Sequence, residues 1–253
     1  DEEVGCVAAP ELVAAINAYY EEKPRYAIIG EPTLLQPVVG QKGICVFKTT
    51  VKGSAGHSSR IRQEVSAIHE AARLVVWLEE RMNALVEAGH IDERFTPPHT
   101  SLHCGRFNGG IAANVIADEC TFLWDARNIP MDSLEEIEAE FAAHCRKREH
   151  VLRERFPGAA LVTERWHPLV PALDTPEDLS IVPLIRQLSG VEEMQTVAYA
   201  AEAGQFAEGG FESVICGPGS IAQAHRANEF ISIEQLDQGV AFIERIVAWA
   251  ETA

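Results

Sequence analysis

Several features that mark common protein classes are missing from the sequence. The six cysteines include no C-x-x-C pair, so neither a zinc ribbon nor a disulfide scaffold is indicated, and the thiols are expected to be small buried side chains. G-x-S-x-G, Walker A and G-x-G-x-x-G motifs are absent, which disfavours serine hydrolases, P-loop nucleotidases and dinucleotide enzymes. The longest apolar stretches are too short or too interrupted to span a bilayer, and no signal-peptide pattern opens the chain. The sequence therefore predicts a soluble protein of the reducing cytoplasm.

Basic charge is also scarce. The chain has 21 Lys and Arg residues against 38 Asp and Glu, a net charge of −17. Such a field repels phosphate backbones and anionic lipids, so we expect no nucleic acid and no membrane as partner. With 253 residues, 47% hydrophobic and 23% charged, the composition is that of a globular protein with one large or two moderate domains.

Both ends of the chain show the alternating helices and strands of an α/β domain. APELVAAINAYYEE is predicted as a helix and RYAIIG as a buried strand. After Pro171, two further helix–strand pairs precede a final helix that starts at about Ser232. We assign residues 1–40 and 172–253 to this host domain.

The intervening residues 41–171 show the order β-α-β-β-α-β, which is that of a ferredoxin-like α+β domain. Its first helix is predicted from Ser59 to Gly89, and its second from Ser133, where Ser133 and Glu136 form a capping box. The sequence therefore predicts an α/β fold interrupted by an inserted two-layer domain.

Carboxylates and one histidine follow predicted strands of the host domain, where α/β sheets usually place their sites. Glu2 and Glu3 are adjacent and point in different directions, so one could bind a metal while the other faces its water. Glu31 follows the strand RYAIIG, and His225 follows a strand and a Gly-Pro-Gly turn. Each residue alone is more often an ordinary surface residue, but together these oxygen and imidazole donors suit zinc or a related divalent ion.

The segments DEEVGC, IIGEPT, VKGSAGHSS, GGIAANVIA and VICGPGSIAQAHRANEF occur in an order that resembles the dinuclear-zinc amidohydrolase and peptidase family. This family includes acetylornithine deacetylase and succinyl-diaminopimelate desuccinylase, and the resemblance covers essentially the whole chain. It implies a zinc-exopeptidase-like α/β/α sandwich interrupted by a ferredoxin-like dimerisation domain. It also implies two zinc ions per subunit, with cobalt as a possible substitute, and a homodimer.

The resemblance also implies roles for individual residues. Glu2 would be the general base that takes a proton from water. Glu3 and His225 would bind one zinc, and Glu31 would bind the other. His57 of AGHSS would reach into the partner subunit's site and hydrogen-bond the developing oxyanion.

Further residues match positions that contact the substrate in the family. These are Asn114 of AANVI, Arg127 of DARN, and the backbone around Gly219 and Ser220. Arg127 would hold a carboxylate by two hydrogen bonds, although a surface ion pair at the end of a strand is an equally good explanation of this residue.

Two departures from the family pattern stand out. In the family, an H-x-D segment and a further aspartate supply metal ligands upstream of the glutamate pair, and this sequence opens at that pair. We therefore expect the chain to be part of a longer protein and to bind zinc poorly on its own. In YAAEAG, relatives often have threonine before the residue that corresponds to Glu202, which puts substrate shaping there in doubt.

Within the family, GEPT, EAGQF and GPGSIAQAH look most like acetylornithine deacetylase. This likeness implies removal of the acetyl group from N2-acetyl-L-ornithine, giving ornithine and acetate in arginine biosynthesis. One alternative is cleavage of another small N-acyl amino acid, such as a succinylated one. The other is that the chain is inactive alone and serves only as a dimerisation module.

Overall fold

The computed structural model describes residues 5–20 and 25–252. In chain order the helices and strands are α1 (Ala9–Tyr19), β1 (Tyr26–Ile29), β2 (Val38–Gln41), β3 (Cys45–Lys52), β4 (Gly56–His57), α2 (Ala67–Glu87), β5 (Ser101–Gly109), β6 (Val115–Ile116), β7 (Glu119–Arg127), α3 (Leu134–Arg153), β8 (Ala160–Arg165), β9 (Leu173–Asp174), α4 (Ile181–Ser189), β10 (Gln195–Val197), α5 (Ala203–Glu208), β11 (Glu212–Ile215) and α6 (Ile233–Ala250).

The chain divides into two compact units. The host unit comprises Asp1–Gly43, Arg94–Thr96 and Val170–Ala253, and the inserted unit comprises Ile44–Glu93 and Pro97–Leu169. None of the helices within the described residues is long and apolar enough to cross a membrane.

The inserted unit is a four-stranded antiparallel sheet in the order β5-β7-β3-β8. Buried residues alternate along β3, and the same core contains the buried residues of α2 and α3, as expected for a sheet covered by helices on one face. The Phe47 ring stacks on Trp124 with centroids 4.2 Å apart. The indole N–H of Trp124 donates to Thr49 Oγ1 at 3.0 Å, so the buried polar atom is satisfied. The ferredoxin-like order of elements is confirmed.

The start predicted for the first long helix is wrong. Instead of beginning at Ser59, α2 begins at Ala67, and Ser66 is its N-cap, accepting from the His69 N–H at 3.3 Å. The reason lies upstream, where a Cβ on Gly53 would come within 2.2 Å of Val65 O. Because the two backbones pass this closely, Val65 pairs with Ser54 instead of entering a helix. By contrast, α3 begins as predicted, with Ser133 Oγ accepting from the Glu136 N–H at 3.2 Å.

The host unit contains a five-stranded mixed sheet. Its order is β1-β11-β2-β10, with β9 also paired to β2. The short strands β2 and β9 were not foreseen from the sequence, since VVGQ is buried at all four positions and has no alternation to reveal it. The final helix α6 starts as predicted, with Ser232 Oγ accepting from the Gln235 N–H at 3.2 Å.

Candidate active site

Glu31 lies just beyond the carboxyl end of β1, at the edge of the sheet where the neighbouring parallel strand β11 also ends. Strands β1 and β11 pair in parallel from Tyr26↔Glu212 to Ile29↔Ile215. The segment after β11 therefore emerges beside Glu31: a Cβ on Gly217 would lie 2.6 Å from Glu31 O and 2.5 Å from Gly30 O. Only glycine allows the two chains to approach this closely.

Backbone hydrogen bonds join the turn after β1 to the loop after β11. The N–H groups of Leu34 and Leu35 donate to the carbonyls of Gly219 at 2.7 Å and Gly217 at 2.8 Å. In return, the Ile221 N–H donates to Pro32 O at 2.9 Å. The sequence-predicted residues Glu31, Gly219 and Ser220 thus belong to one hydrogen-bonded edge of the sheet.

This edge contains backbone conformations that are rare for residues other than glycine. Leu34 and Leu35 have φ values of 57° and 61°, and His225 and Asn228 both have φ of 60°. Left-handed backbone at bulky residues persists only where surrounding bonds enforce it, and such positions cluster at functional sites. The strain therefore marks the same edge as the sequence motifs.

Some groups predicted to contact the substrate already have partners here. The Gly219 N–H donates to Gln235 Oε1 at 3.0 Å, and Ser220 Oγ accepts from the Ala222 N–H at 3.3 Å. His225 is exposed on the following loop, with its backbone N–H 3.2 Å from Glu229 Oε2. The predicted roles of these residues stay predictions.

The predicted metal ligands are only partly covered by the structure. Glu2 and Glu3 lie outside the described residues. Over residues 5–20 and 25–252, no three His, Cys, Asp or Glu side chains come together in an arrangement that could hold a metal ion. Glu31 and His225 supply carboxylate and imidazole donors of the type that zinc accepts, but a catalytic zinc usually has three protein ligands.

In the inserted unit, a two-stranded sheet brings His57 and Asn114 together. Strands β4 and β6 pair His57 with Val115, and the Ser58 N–H donates to Asn114 O at 3.0 Å. The backbone N–H of Ser59 donates to His57 Nδ1 at 3.3 Å. His57 Nδ1 also lies 2.9 Å from Ser59 Oγ, and when Nδ1 accepts from Ser59 the exposed imidazole can donate from Nε2.

Arg127 lies far from this pair, at the last position of β7. Asn114 and Val115 come shortly before Glu119, the first residue of this nine-residue strand. The two ends of a strand of nine residues are roughly 25 Å apart. Arg127 Nε is 3.4 Å from Asp125 Oδ2, the kind of strand-end ion pair that the sequence left open as an alternative. The structure thus brings His57 and Asn114 together but not Arg127.

Three buried cysteines are poor candidates for a nucleophile. Burial raises the pKa of the Cys45, Cys145 and Cys216 thiols to about 12. A thiol with such a pKa stays protonated at neutral pH and reacts poorly. The expectation that these cysteines are buried apolar residues agrees with this.

Tyr199 is a candidate that the sequence motifs did not single out. It lines a cavity beside the turn after Glu31, together with Thr33 and Ser220. Burial, and secondarily the charge of Glu31, raises the pKa of the Tyr199 hydroxyl to about 12. The only sequence signal was its place in YAAEAG, the motif that departs from the family pattern.

Comparison with known proteins agrees with these features. A family model described as a peptidase dimerisation domain of M20 type matches residues 39–151. The acetylornithine deacetylase of Myxococcus xanthus is 34% identical over 252 residues, which covers 98% of this chain and 62% of the relative. The acetylornithine deacetylase of Proteus mirabilis is 34% identical over 228 residues, covering 88% of this chain and 54% of the relative.

Solved structures show the same fold. The aminopeptidase PepT of Bacillus cereus aligns with a TM-score of 0.70 at 21% identity, over 97% of this chain and 61% of that one. An M20 family metallo-carboxypeptidase of Sulfolobus solfataricus aligns with a TM-score of 0.67 at 16% identity, over 96% and 67%. The zinc-exopeptidase-like fold with an inserted dimerisation domain is thereby confirmed.

Residues 39–151 thus match the M20 peptidase dimerisation domain, and the chain as a whole is similar to acetylornithine deacetylases in sequence and to M20 metallopeptidases in fold. It spans about three fifths of the length of the acetylornithine deacetylases that it matches, at 62% and 57% for two of them.

Proposed function

We propose that this protein is a metal-dependent amide hydrolase that removes the acetyl group from N2-acetyl-L-ornithine, giving ornithine and acetate. The observation that carries the proposal is the parallel pairing of β1 with β11, which joins Glu31 to the loop of Gly219 and Ser220. Support for the substrate comes from relatives named acetylornithine deacetylase at 34% and 31% identity.

In this proposal Glu3 and His225 would hold one metal ion and Glu31 the other, and their carboxylate and imidazole donors fit zinc, with cobalt as a substitute. A bound zinc ion supplies Lewis-acid polarisation of the amide carbonyl and lowers the pKa of a water molecule. Glu2 accepts the proton from the attacking water and passes it to the leaving amine. Water is thus the nucleophile that attacks the amide carbonyl carbon, and Glu2 carries its proton to the amine that leaves when the C–N bond breaks.

His57 contributes as a hydrogen-bond donor to the oxygen that gains negative charge. The acceptor role of its Nδ1 toward the Ser59 N–H leaves Nε2–H as the donor. Asn114, bonded to the same strand pair, acts from the same end of the inserted unit. One preoriented donor of this kind is worth about 10²–10³ in kcat.

Arg127 binds the substrate carboxylate in this proposal. It lies roughly 25 Å along β7 from the end near Asn114, so a single copy cannot bring both ends of its inserted unit to one small substrate. The two ends can serve one site when they come from different copies of the chain. A homodimer whose sites combine residues of both subunits therefore fits the positions of these residues.

The first test is a substrate panel with the metal-loaded, full-length gene product. We expect the highest kcat/KM for N2-acetyl-L-ornithine among acetylated, succinylated and longer N-acyl amino acids. A preparation that cleaves a succinylated amino acid and leaves acetylornithine intact would instead support the desuccinylase alternative. No hydrolysis of any amide would leave only a dimerisation module, the function that the family match to residues 39–151 favours by itself.

The second test is complementation between two inactive variants, His57→Ala and Arg127→Ala. When the two are co-expressed with different tags, heterodimers contain one site with both residues intact, and random pairing restores about a quarter of wild-type activity. Each variant alone provides the control. Heterodimers without activity would contradict the composite site.

A further inference from the structure

A small cavity of about 130 Å³ opens in the host unit beside the turn that follows Glu31. Its walls include the polar side chains of Thr33, Gln36, Tyr199 and Ser220 and the apolar side chains of Val197 and Ile221. It therefore adjoins the same edge of the sheet as the proposed metal ligands, without containing them.

The size of the cavity limits what it can hold. An apolar protein cavity of about 150 Å³ binds a benzene molecule, and this one, at about 130 Å³, is slightly smaller. A whole amino acid with its acyl group does not fit such a space, whereas a short acyl chain does.

The charge of the cavity limits the ligand further. None of the described residues that line it is Lys, Arg, His, Asp or Glu. Gln195 Nε2 donates to Gln36 Oε1 on the wall, so this donor and this acceptor are paired with each other. A carboxylate placed in this cavity would lose its hydration without a cationic side chain on the walls to pair with it.

The walls are held in place by the backbone. The strained turn at Leu34 is fixed by its hydrogen bond to Gly219 O at 2.7 Å, and Thr33 Oγ1 accepts from the Gly217 N–H at 3.2 Å. A preformed cavity of fixed shape discriminates between ligands better than one that adapts.

We propose that this cavity binds the acyl group of the substrate and selects a short uncharged acyl group over one that ends in a carboxylate. The inference rests on the proposed function. It assigns the discrimination between acetyl and succinyl substrates to Tyr199, Val197 and Ile221. Within residues 5–20 and 25–252 the Tyr199 hydroxyl forms no hydrogen bond, so it can donate to the carbonyl oxygen of the acyl group.

The test measures binding by calorimetry in the metal-free 253-residue protein, so that its result does not depend on hydrolysis. The probes are N2-acetyl-, N2-butyryl- and N2-succinyl-L-ornithine, of which the butyryl compound has nearly the length of the succinyl compound without its charge. We expect the succinyl compound to bind at least about tenfold more weakly than the butyryl compound, because no cation on the described walls offsets the desolvation of its carboxylate.

Two variants separate the charge of the cavity from the charge of the whole protein. Ile221→Arg adds a cation at a wall residue that is 45% exposed, and we expect it to tighten binding of the succinyl compound about tenfold. Leu12→Arg adds the same charge on α1 at a residue that is 52% exposed and does not line the cavity, so it leaves the preference unchanged. Tyr199→Phe weakens binding of the acetyl compound several-fold, about the effect of one lost hydrogen bond, while Tyr26→Phe does not.

Equal affinity for the succinyl and butyryl compounds in the wild type, equal effects of the two arginine variants, or no binding of the acetyl compound would each overturn the inference. Failure of the proposed function looks different. In that case the preference for uncharged acyl groups holds in the binding experiment, but the metal-loaded, full-length gene product hydrolyses none of the three compounds.

Discussion

At the scale of single residues, Glu70 shows how the inserted unit neutralises a buried charge. This α2 carboxylate is 1% exposed. Arg148 of α3 donates to both oxygens of this carboxylate, and its Nη2 lies 2.9 Å from Glu70 Oε2. Arg73 Nη1 lies 3.3 Å from the same oxygen. The hydrogen bonds that Arg148 donates to Glu70 raise the pKa of its guanidinium. One ion-paired cluster therefore links the two helices over the sheet.

We expect Glu70→Ala to lower the free energy of unfolding by about 2–4 kcal/mol, because it leaves Arg148 partly buried without its anion. Urea unfolding followed by circular dichroism measures the effect. The matched control is Glu79→Ala, an exposed position on the same helix, which should change stability by less than about 0.5 kcal/mol. Equal unfolding midpoints for the two variants would show that the cluster contributes nothing.

Single residues also show what the sequence could and could not predict. Glu31 could be named because it directly follows an apolar strand, and parallel strands collect their carboxyl ends at one edge. The left-handed backbone at Leu34 and Leu35 could not be predicted, because leucine gives no local sign of that conformation. It is imposed by hydrogen bonds to residues near position 218. Tyr199 could not be identified as a site residue for a similar reason, because the residues beside it in the cavity are distant along the chain.

At the scale of elements, the meeting point of β1 and β11 depends on one glycine. A Cβ on Gly217 would collide with the carbonyl oxygens of Gly30 and Glu31. We expect Gly217→Ala to push the two strand ends apart and to destabilise the host unit by about 1–3 kcal/mol, as overpacking does.

Gly30→Ala is the matched control for that change. It places the same methyl group next to Glu31, but nothing lies within 4 Å of the new Cβ. We expect this variant to unfold like the wild type in a urea titration. If both alanine variants behave alike, the close approach of the strands is not what positions this edge.

Elements were predictable where their signals are local. Ser133 and Ser232 marked helix starts correctly because an N-cap needs only its own side chain and the next turn. The start of α2 was misplaced because Ser66 competes with the equally plausible Ser58 and Ser59, and only the pairing of Ser54 with Val65 decides between them. The long-range contact settles what the local pattern leaves open.

At the scale of the whole molecule, α6 presents an unusual surface. Ile233, Leu236, Val240, Ile243 and Val247 follow each other at alternating spacings of three and four and are between 51% and 78% exposed. Such a stripe on one face of a helix is larger than isolated exposed apolar residues and favours association.

We expect the chain to bind a hydrophobic dye and to self-associate as its concentration rises, and Leu236→Lys with Ile243→Lys to reduce both effects. The control is Val151→Lys with Val162→Lys, which adds the same charge at exposed positions of the inserted unit. Sedimentation velocity measures the outcome. If both double variants reduce association equally, net charge rather than the α6 stripe is responsible.

The central claim concerns the host unit: Glu31 and His225 take part in one metal centre at the edge of its sheet. Competition of the 253-residue chain with a zinc-binding dye tests it most directly. We predict that the wild-type chain binds zinc weakly. The zinc affinity should fall at least about tenfold further in Glu31→Gln and in His225→Ala, since even changes to residues that only hydrogen-bond to metal ligands cost 10–100-fold. Glu244→Gln and His150→Ala should leave the affinity unchanged. Zinc binding that neither Glu31→Gln nor His225→Ala alters would contradict the claim.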